Sequence, residues 1–137
     1  VKGKGIRYER QAHQYLIKKF GTGYAPGVWF RYLEEGATKP RFCQTDGIWI
    51  DPKAGRIVII EIKLRHTSVA WFQLNEQYYP IIRHLFPESM WKIGLCEVVA
   101  WYAPNVPIPG TVKLLSDPRK ALPGAYGVHI WNPRYKK

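Results

Sequence analysis

The sequence predicts a single mixed α/β domain in the order helix, three strands, helix, strand (αβββαβ), with a loop-rich C-terminal extension. Three observations predict it. An apolar stripe at helical spacing opens the chain, a pair of strands with alternating isoleucines follows, and a second helical stripe leads into a long apolar strand. With 137 residues, 46% of them hydrophobic, the chain is the size of one domain and has ample material for a core.

Val1 to Gly5 is expected to be a flexible basic arm; the chain starts at Val1 and not at a methionine, which leaves room for an initiator or short leader ahead of it. From Ile6 to Phe20 the period is helical. At about 100° per residue, Tyr8, Ala12, Tyr15, Leu16 and Phe20 fall on one stripe. Gly21-Thr22-Gly23 ends this helix, Val28 to Leu33 reads as a strand, and the stretch from Glu34 to Pro40 as a loop. Phe42 to Leu64 then reads as a β-hairpin around the turn formers Asp51 to Gly55. Thr67 or Ser68 is placed to cap a second helix, whose buried stripe is Trp71, Leu74, Tyr78, Ile81, Ile82 and Leu85, with Pro80 expected to kink or split it. Lys92 to Tyr102 reads as an apolar strand, which completes a core of about residues 6–103. In the extension, about residues 104–137, six of the eleven prolines fall. Val112 to Leu115 and Val128 to Trp131 are candidates for short strands at a sheet edge there, and Arg134, Lys136 and Lys137 read as a solvated basic tail.

The hairpin contains a conflict. Side chains alternate across a strand, so Ile57, Ile59, Glu61 and Lys63 share one face, and Asp46, Ile48 and Ile50 share a face of the partner. A one-residue slip would set the two isoleucine sets on opposite faces, so core burial selects the register. With Asp51 opposite Arg56, Ile50 meets Ile57, Ile48 meets Ile59, Asp46 meets Glu61 and Gln44 meets Lys63. Two carboxylates then face each other, an arrangement that is destabilising unless a cation lies between them. A hard divalent metal suits that place. The bland alternative is a buried Glu61–Lys63 or Asp46–Lys63 ion pair, which leaves net negative charge over once Glu9 is counted. By helical phase Glu9 lies between Leu16 and Phe20, inside the apolar stripe, so the three acids are expected to share one apolar surface with a single lysine.

Twenty-one Lys and Arg against ten Asp and Glu give a formal charge of +11, which favours a phosphate backbone or an anionic membrane surface. The apolar run Ile57 to Ile60 is far short of the roughly 20 residues of a spanning helix, and nothing resembles a secretory signal. Cys43 and Cys96 are too few for a disulfide framework or a thiolate metal site, and read as reduced packing residues of a cytoplasmic protein.

Asp46, then Glu61-Ile62-Lys63 at the end of an apolar strand, within this element order, resembles the PD-(D/E)XK nuclease superfamily over roughly Ile6 to Tyr102. Thr45 stands where the family label has a proline. The resemblance implies a restriction-endonuclease-like core and an activity like that of a small endonuclease or Holliday junction resolvase. It implies Mg²⁺ or Mn²⁺ held by Asp46, Glu61 and the backbone carbonyl of Ile62. It further implies that Glu9 completes the metal site and that Lys63 orients or helps deprotonate the attacking water. Gln73 and Gln77, one turn apart on the second helix, are candidate supporting residues, with an ordinary exposed helix face as the equal alternative. His66 and His84 have no spacing tied to the acids and stay outside the site.

The expected function is a divalent-metal-dependent nuclease hydrolysing phosphodiester bonds in DNA, acting as a structure-selective endonuclease. The alternatives from other classes are a non-catalytic nucleic-acid-binding module, and an interaction subunit of a replication, recombination or packaging complex docking through the proline-rich segment. DNA is the expected partner, with homo-oligomerisation left open. Some of the six Trp and nine Tyr are candidate stacking platforms for unpaired bases.

Overall fold

Ile57 to Ile60 are fully buried in the middle of a six-stranded mixed sheet, and the rest of the fold is arranged to cover the two faces on which they alternate. A computed structural model describes residues 2–133. Val1 and the basic tail with Arg134, Lys136 and Lys137 lie outside the described residues. The elements are α1 (Lys2–Phe20), β1 (Tyr24–Pro26), β2 (Trp29–Tyr32), β3 (Arg41–Gln44), β4 (Gly47–Asp51), β5 (Arg56–Arg65), α2 (Ser68–Phe72), α3 (Tyr79–Leu85), β6 (Lys92–Trp101), β7 (Val112–Leu114) and β8 (Tyr126–Ile130). The sheet order is β1-β4-β5-β6-β8-β7, with β2 and β3 forming a separate two-stranded sheet.

The pairing of β4 with β5 is antiparallel, with Ile48 opposite Ile59, Ile50 opposite Ile57 and Asp51 opposite Arg56. This is the register that isoleucine burial selects. The ladder ends at Gly47 and Ile60, however, and neither the predicted Asp46–Glu61 pairing nor the predicted Gln44–Lys63 pairing forms. Ahead of Gly47 the chain bonds elsewhere: Thr45 N–H donates to the Val28 carbonyl at 3.0 Å, and the Asp46 carbonyl accepts from Gly27 N–H at 2.8 Å. Gln44 consequently pairs with Trp29 in the small sheet. The expected first hairpin strand is thus two strands belonging to two sheets, broken at Thr45-Asp46.

Helix α1 begins at Lys2, so the expected flexible arm is helical among the described residues. Helix propagates residue by residue from a formed turn, and Gly3 and Gly5 weaken the first turn without stopping it. Tyr8, Ala12, Leu16 and Phe20 are buried, as the stripe predicts, against Val58, Ile60, Ile62, Val98 and Ala100 on one face of the sheet. The helix stops at Gly21, whose φ of +64° is a conformation that favours glycine.

The second helical run covers the opposite face, packing Leu74, Tyr78, Ile81 and Ile82 on Ile48, Ile57, Ile59 and Val99. Trp71 is half-buried and Leu85 exposed, so the stripe is narrower than predicted. Between α2 and α3 the segment Gln73–Tyr78 is π-helical, the Tyr79 N–H reaching back to the Leu74 carbonyl. Pro80 gives the reason. It has no amide to donate and its ring crowds the carbonyl four residues back, so the run widens ahead of it.

Beyond Ala103 the chain returns to the sheet. Strand β8 runs parallel to β6 on one side and to β7 on the other, burying Tyr126 and Val128, so β8 is interior and β7 forms the edge.

Candidate functional site

The site is built where β4 stops and β5 continues. With no strand opposite, the Ile62 N–H has lost its ladder partner, and Asp46 Oδ2 accepts it at 2.7 Å. Glu61 points to the other side of β5, 2% exposed, and Lys63 Nζ lies 3.4 Å from its Oε2. The structure therefore brings Asp46, Glu61, Ile62 and Lys63 together.

Burial first, and then the Asp46 carboxylate, push Glu61 up to about 8, with Lys63 opposing; a proton on Glu61 is shared with Asp46. Glu9 also titrates above the usual carboxylate range, through burial and then Asp46, to which it too is hydrogen-bonded. Asp46 is thus the meeting point of the three acids. The expectation that they share one apolar surface is corrected: α1 covers the face of Ile60 and Ile62, whereas Glu61 continues the face of Ile57 and Ile59. Glu9 reaches Asp46 from the α1 side of the sheet.

Of the two glutamines, Gln73 belongs to the cluster. Its Nε2 donates to the Tyr78 hydroxyl at 3.5 Å, and Tyr78 lies against Glu61. Burial, with the Glu61 and Asp46 carboxylates, holds the Tyr78 hydroxyl above the usual phenol range. Gln77 is exposed and lines a cleft with Phe42, Gln44, Tyr78 and Ile81.

Two buried oxygens beside the acids, Glu61 Oε1 and Gln73 Oε1, have no hydrogen-bond partner among the described residues. Acceptors left without donors are what a hard cation, or the waters it keeps, would satisfy. Mg²⁺ commonly binds through one or two carboxylates, so the oxygen donors suit it. No group of three or more His, Cys, Asp or Glu side chains among the described residues is arranged to hold a metal ion. The carboxylates that could hold such an ion are those of Asp46 and Glu61, with Glu9 behind Asp46.

Other polar residues at the site were not legible from spacing. The Tyr24 hydroxyl bonds His13 Nδ1 at 2.8 Å, and both groups feel Glu9. Gly47 makes room for Tyr24, since a Cβ there would overlap the Tyr24 hydroxyl. Next to Glu61 on β6 lies Glu97, its register partner, fully buried. Glu97 Oε1 is 2.8 Å from His66 Nδ1 and accepts the Tyr126 hydroxyl at 2.7 Å. Burial raises the Glu97 carboxyl, while the bonds from Tyr126 and His66 oppose the rise. Glu97, like Glu61, interrupts an apolar strand, but without an opposing acid or a neighbouring lysine in a hairpin to single it out. His84 packs on Tyr32, away from the acids.

Fold and site together define a mixed α/β chain with a buried glutamate, a half-buried aspartate and an adjoining lysine at a strand divergence. Compared with models of protein families, with curated proteins and with solved structures, the chain matches none. No helix among the described residues is long and apolar enough to cross a membrane.

Proposed function

We propose that this chain is a divalent-metal-dependent nuclease of the PD-(D/E)XK type, with a restriction-endonuclease-like core, hydrolysing phosphodiester bonds in DNA as a structure-selective endonuclease. The observation that carries the reading is the meeting of Asp46, Glu61 and Lys63 where β4 and β5 part, with Glu61 Oε1 buried and unpartnered among the described residues. The net charge of +11 supports a phosphate-bearing partner.

Asp46, Glu61 and the Ile62 carbonyl would hold Mg²⁺ or Mn²⁺. When bound, such an ion supplies neutralisation of phosphoryl charge and a more acidic water. The chain's own residues do the rest. Asp46 is oriented by the Ile62 amide, so its second oxygen has a fixed direction. Lys63, one-third exposed beside Glu61, faces both the buried acid and solvent. There it would orient the attacking water and stabilise negative charge on the phosphoryl oxygens. Glu9 would hold a proton against Asp46 or position a further water.

A second reading is a nucleic-acid-binding module without catalysis, favoured by the lack of a three-ligand metal group among the described residues. One experiment separates them. Labelled single-stranded, duplex, flapped and four-way DNA and single-stranded RNA are incubated with Mg²⁺, Mn²⁺ or EDTA, beside Glu61→Ala and Lys63→Ala variants of checked fold. Metal-dependent cutting that both variants lose is the expected result. Salt-sensitive binding with no cutting under any condition would leave the binding module as the answer.

A further inference from the structure

Beside the acid site, α1 and the ends of β5 and β6 enclose a groove of about 370 Å³, within the usual size of ligand sites. Its walls carry Lys4, Arg7 and Arg65, together with Gln11, Trp101 and Asn132, and among the described residues none that lines it is acidic. Lys4, Arg7 and Gln11 are spaced three and four residues apart, so they present one side of α1. Arg65 and Trp101 are register partners on parallel strands, which sets a guanidinium and an indole side by side. Trp101 is 39% exposed. Two of its wall residues are chain neighbours of site residues. Tyr8 in its wall precedes Glu9 on α1, and Leu64 in its wall follows Lys63 on β5.

We propose that this groove binds a single-stranded segment of the nucleic-acid substrate, phosphates on Lys4, Arg7 and Arg65 and an unpaired base stacked on Trp101. The proposal rests on the reading of the chain as a nuclease and names the form of substrate that it takes. Three cations without an acid attract a polyanion, and salt dependence follows from the counterions they displace. The aromatic face decides between strand forms, because in a duplex the bases are already stacked on one another, whereas an unpaired base is available to an indole.

The test is binding of a fluorescein-labelled oligodeoxythymidine, against a blunt hairpin duplex, to the full chain in EDTA, so that cleavage does not intervene. Tighter binding of the single strand is expected. Arg7→Gln and Arg65→Gln should each lower the salt slope by about 0.7, and Trp101→Ala should weaken single-strand binding at least about fivefold while Trp101→Phe retains most of it. Preference for the duplex, or wild-type affinity and salt slope in Arg7→Gln and Arg65→Gln, would overturn the proposal. The exposed arginine positions keep it testable even where Trp101→Ala unfolds. Failure of the groove and failure of the nuclease reading are distinguishable: cutting by a protein whose groove variants bind normally removes the groove alone, and groove-dependent binding without cutting removes the nuclease alone.

Discussion

Asp46 Oδ2 accepts the backbone N–H of Ile62 at 2.7 Å, across the point where β4 ends and β5 runs on. One carboxylate thereby satisfies an amide that the strand divergence orphans and lies beside Glu61. The same residue is held for structure and exposed to the consequences of charge, and these two roles separate on substitution.

Asp46→Asn keeps an acceptor for Ile62 and removes the charge. The wild-type melting temperature should rise with millimolar Mg²⁺ or Mn²⁺, by an amount equivalent to about 2.7 kcal/mol at one hundred times Kd. The rise should be larger at pH 8.5 than at pH 6, because Glu61, at about 8, must lose its proton to act as a ligand. EDTA should reverse it and Asp46→Asn should abolish it. Thermal melts of both proteins across the two pH values check this; a wild type indifferent to both ions would remove the metal from the account.

Glu61 itself should make the fold less stable as pH rises. Its value in the folded chain, about 8, lies above the ordinary 4.5. Below pH 4.5 both states carry the proton; between 4.5 and 8 the unfolded chain ionises and the folded one does not, so stability falls through that window. The difference is worth at most about 5 kcal/mol for a buried group. In metal-free urea titrations Glu61→Gln should flatten the profile and be the more stable protein at pH 8. A wild-type profile that rises from pH 5 to 8 would contradict it.

Gly47 has no room for a side chain. A Cβ there would come within 2.6 Å of two Tyr24 ring carbons, so Gly47→Ala should destabilise by about 1–3 kcal/mol. Combined with Tyr24→Ala, which removes the obstacle, the cost should be less than the sum of the two single changes. A double-mutant cycle in urea measures the coupling, and simple additivity would show that the strand shifts to accommodate the methyl.

Truncation after Ala103 should unfold the domain. It removes β8 from between β6 and β7, along with the buried Tyr126 and Val128 and the hydroxyl that Glu97 accepts. Circular dichroism and near-ultraviolet spectra should lose the native signature. A truncated chain that keeps it would make the C-terminal segment an appendage, and assembly assays on it would then be informative.

Local pattern carried much of the site. The isoleucine alternation was enough to set Ile48 opposite Ile59, because a slip would expose a whole apolar face, but the ladder stops one residue short of the predicted Asp46–Glu61 pair, and Asp46 reaches β5 through its side chain on the Ile62 amide. Lys63 follows from the same alternation. Gln73 and Gln77 were indistinguishable by spacing, since the π-helical widening ahead of Pro80 changes the angle between helix positions. Glu97 has no hairpin partner: its contacts, His66 and Tyr126, are distant in the chain, and no local spacing joins them.

Periodicity thus specified which side chains lie on the same face of each element: the α1 stripe, the β4–β5 register, the acids interrupting an apolar strand. Long-range pairing specified everything between elements. That Thr45 and Asp46 bond to Val28 and Gly27 and not to β5, that Glu9 approaches Asp46 from the opposite side of the sheet from Glu61, and that β8 lies inside the sheet, are outcomes of competition among non-local partners. A backbone amide or an apolar edge is satisfied equally well by any strand that reaches it, and which strand does so depends on the whole chain being folded around it.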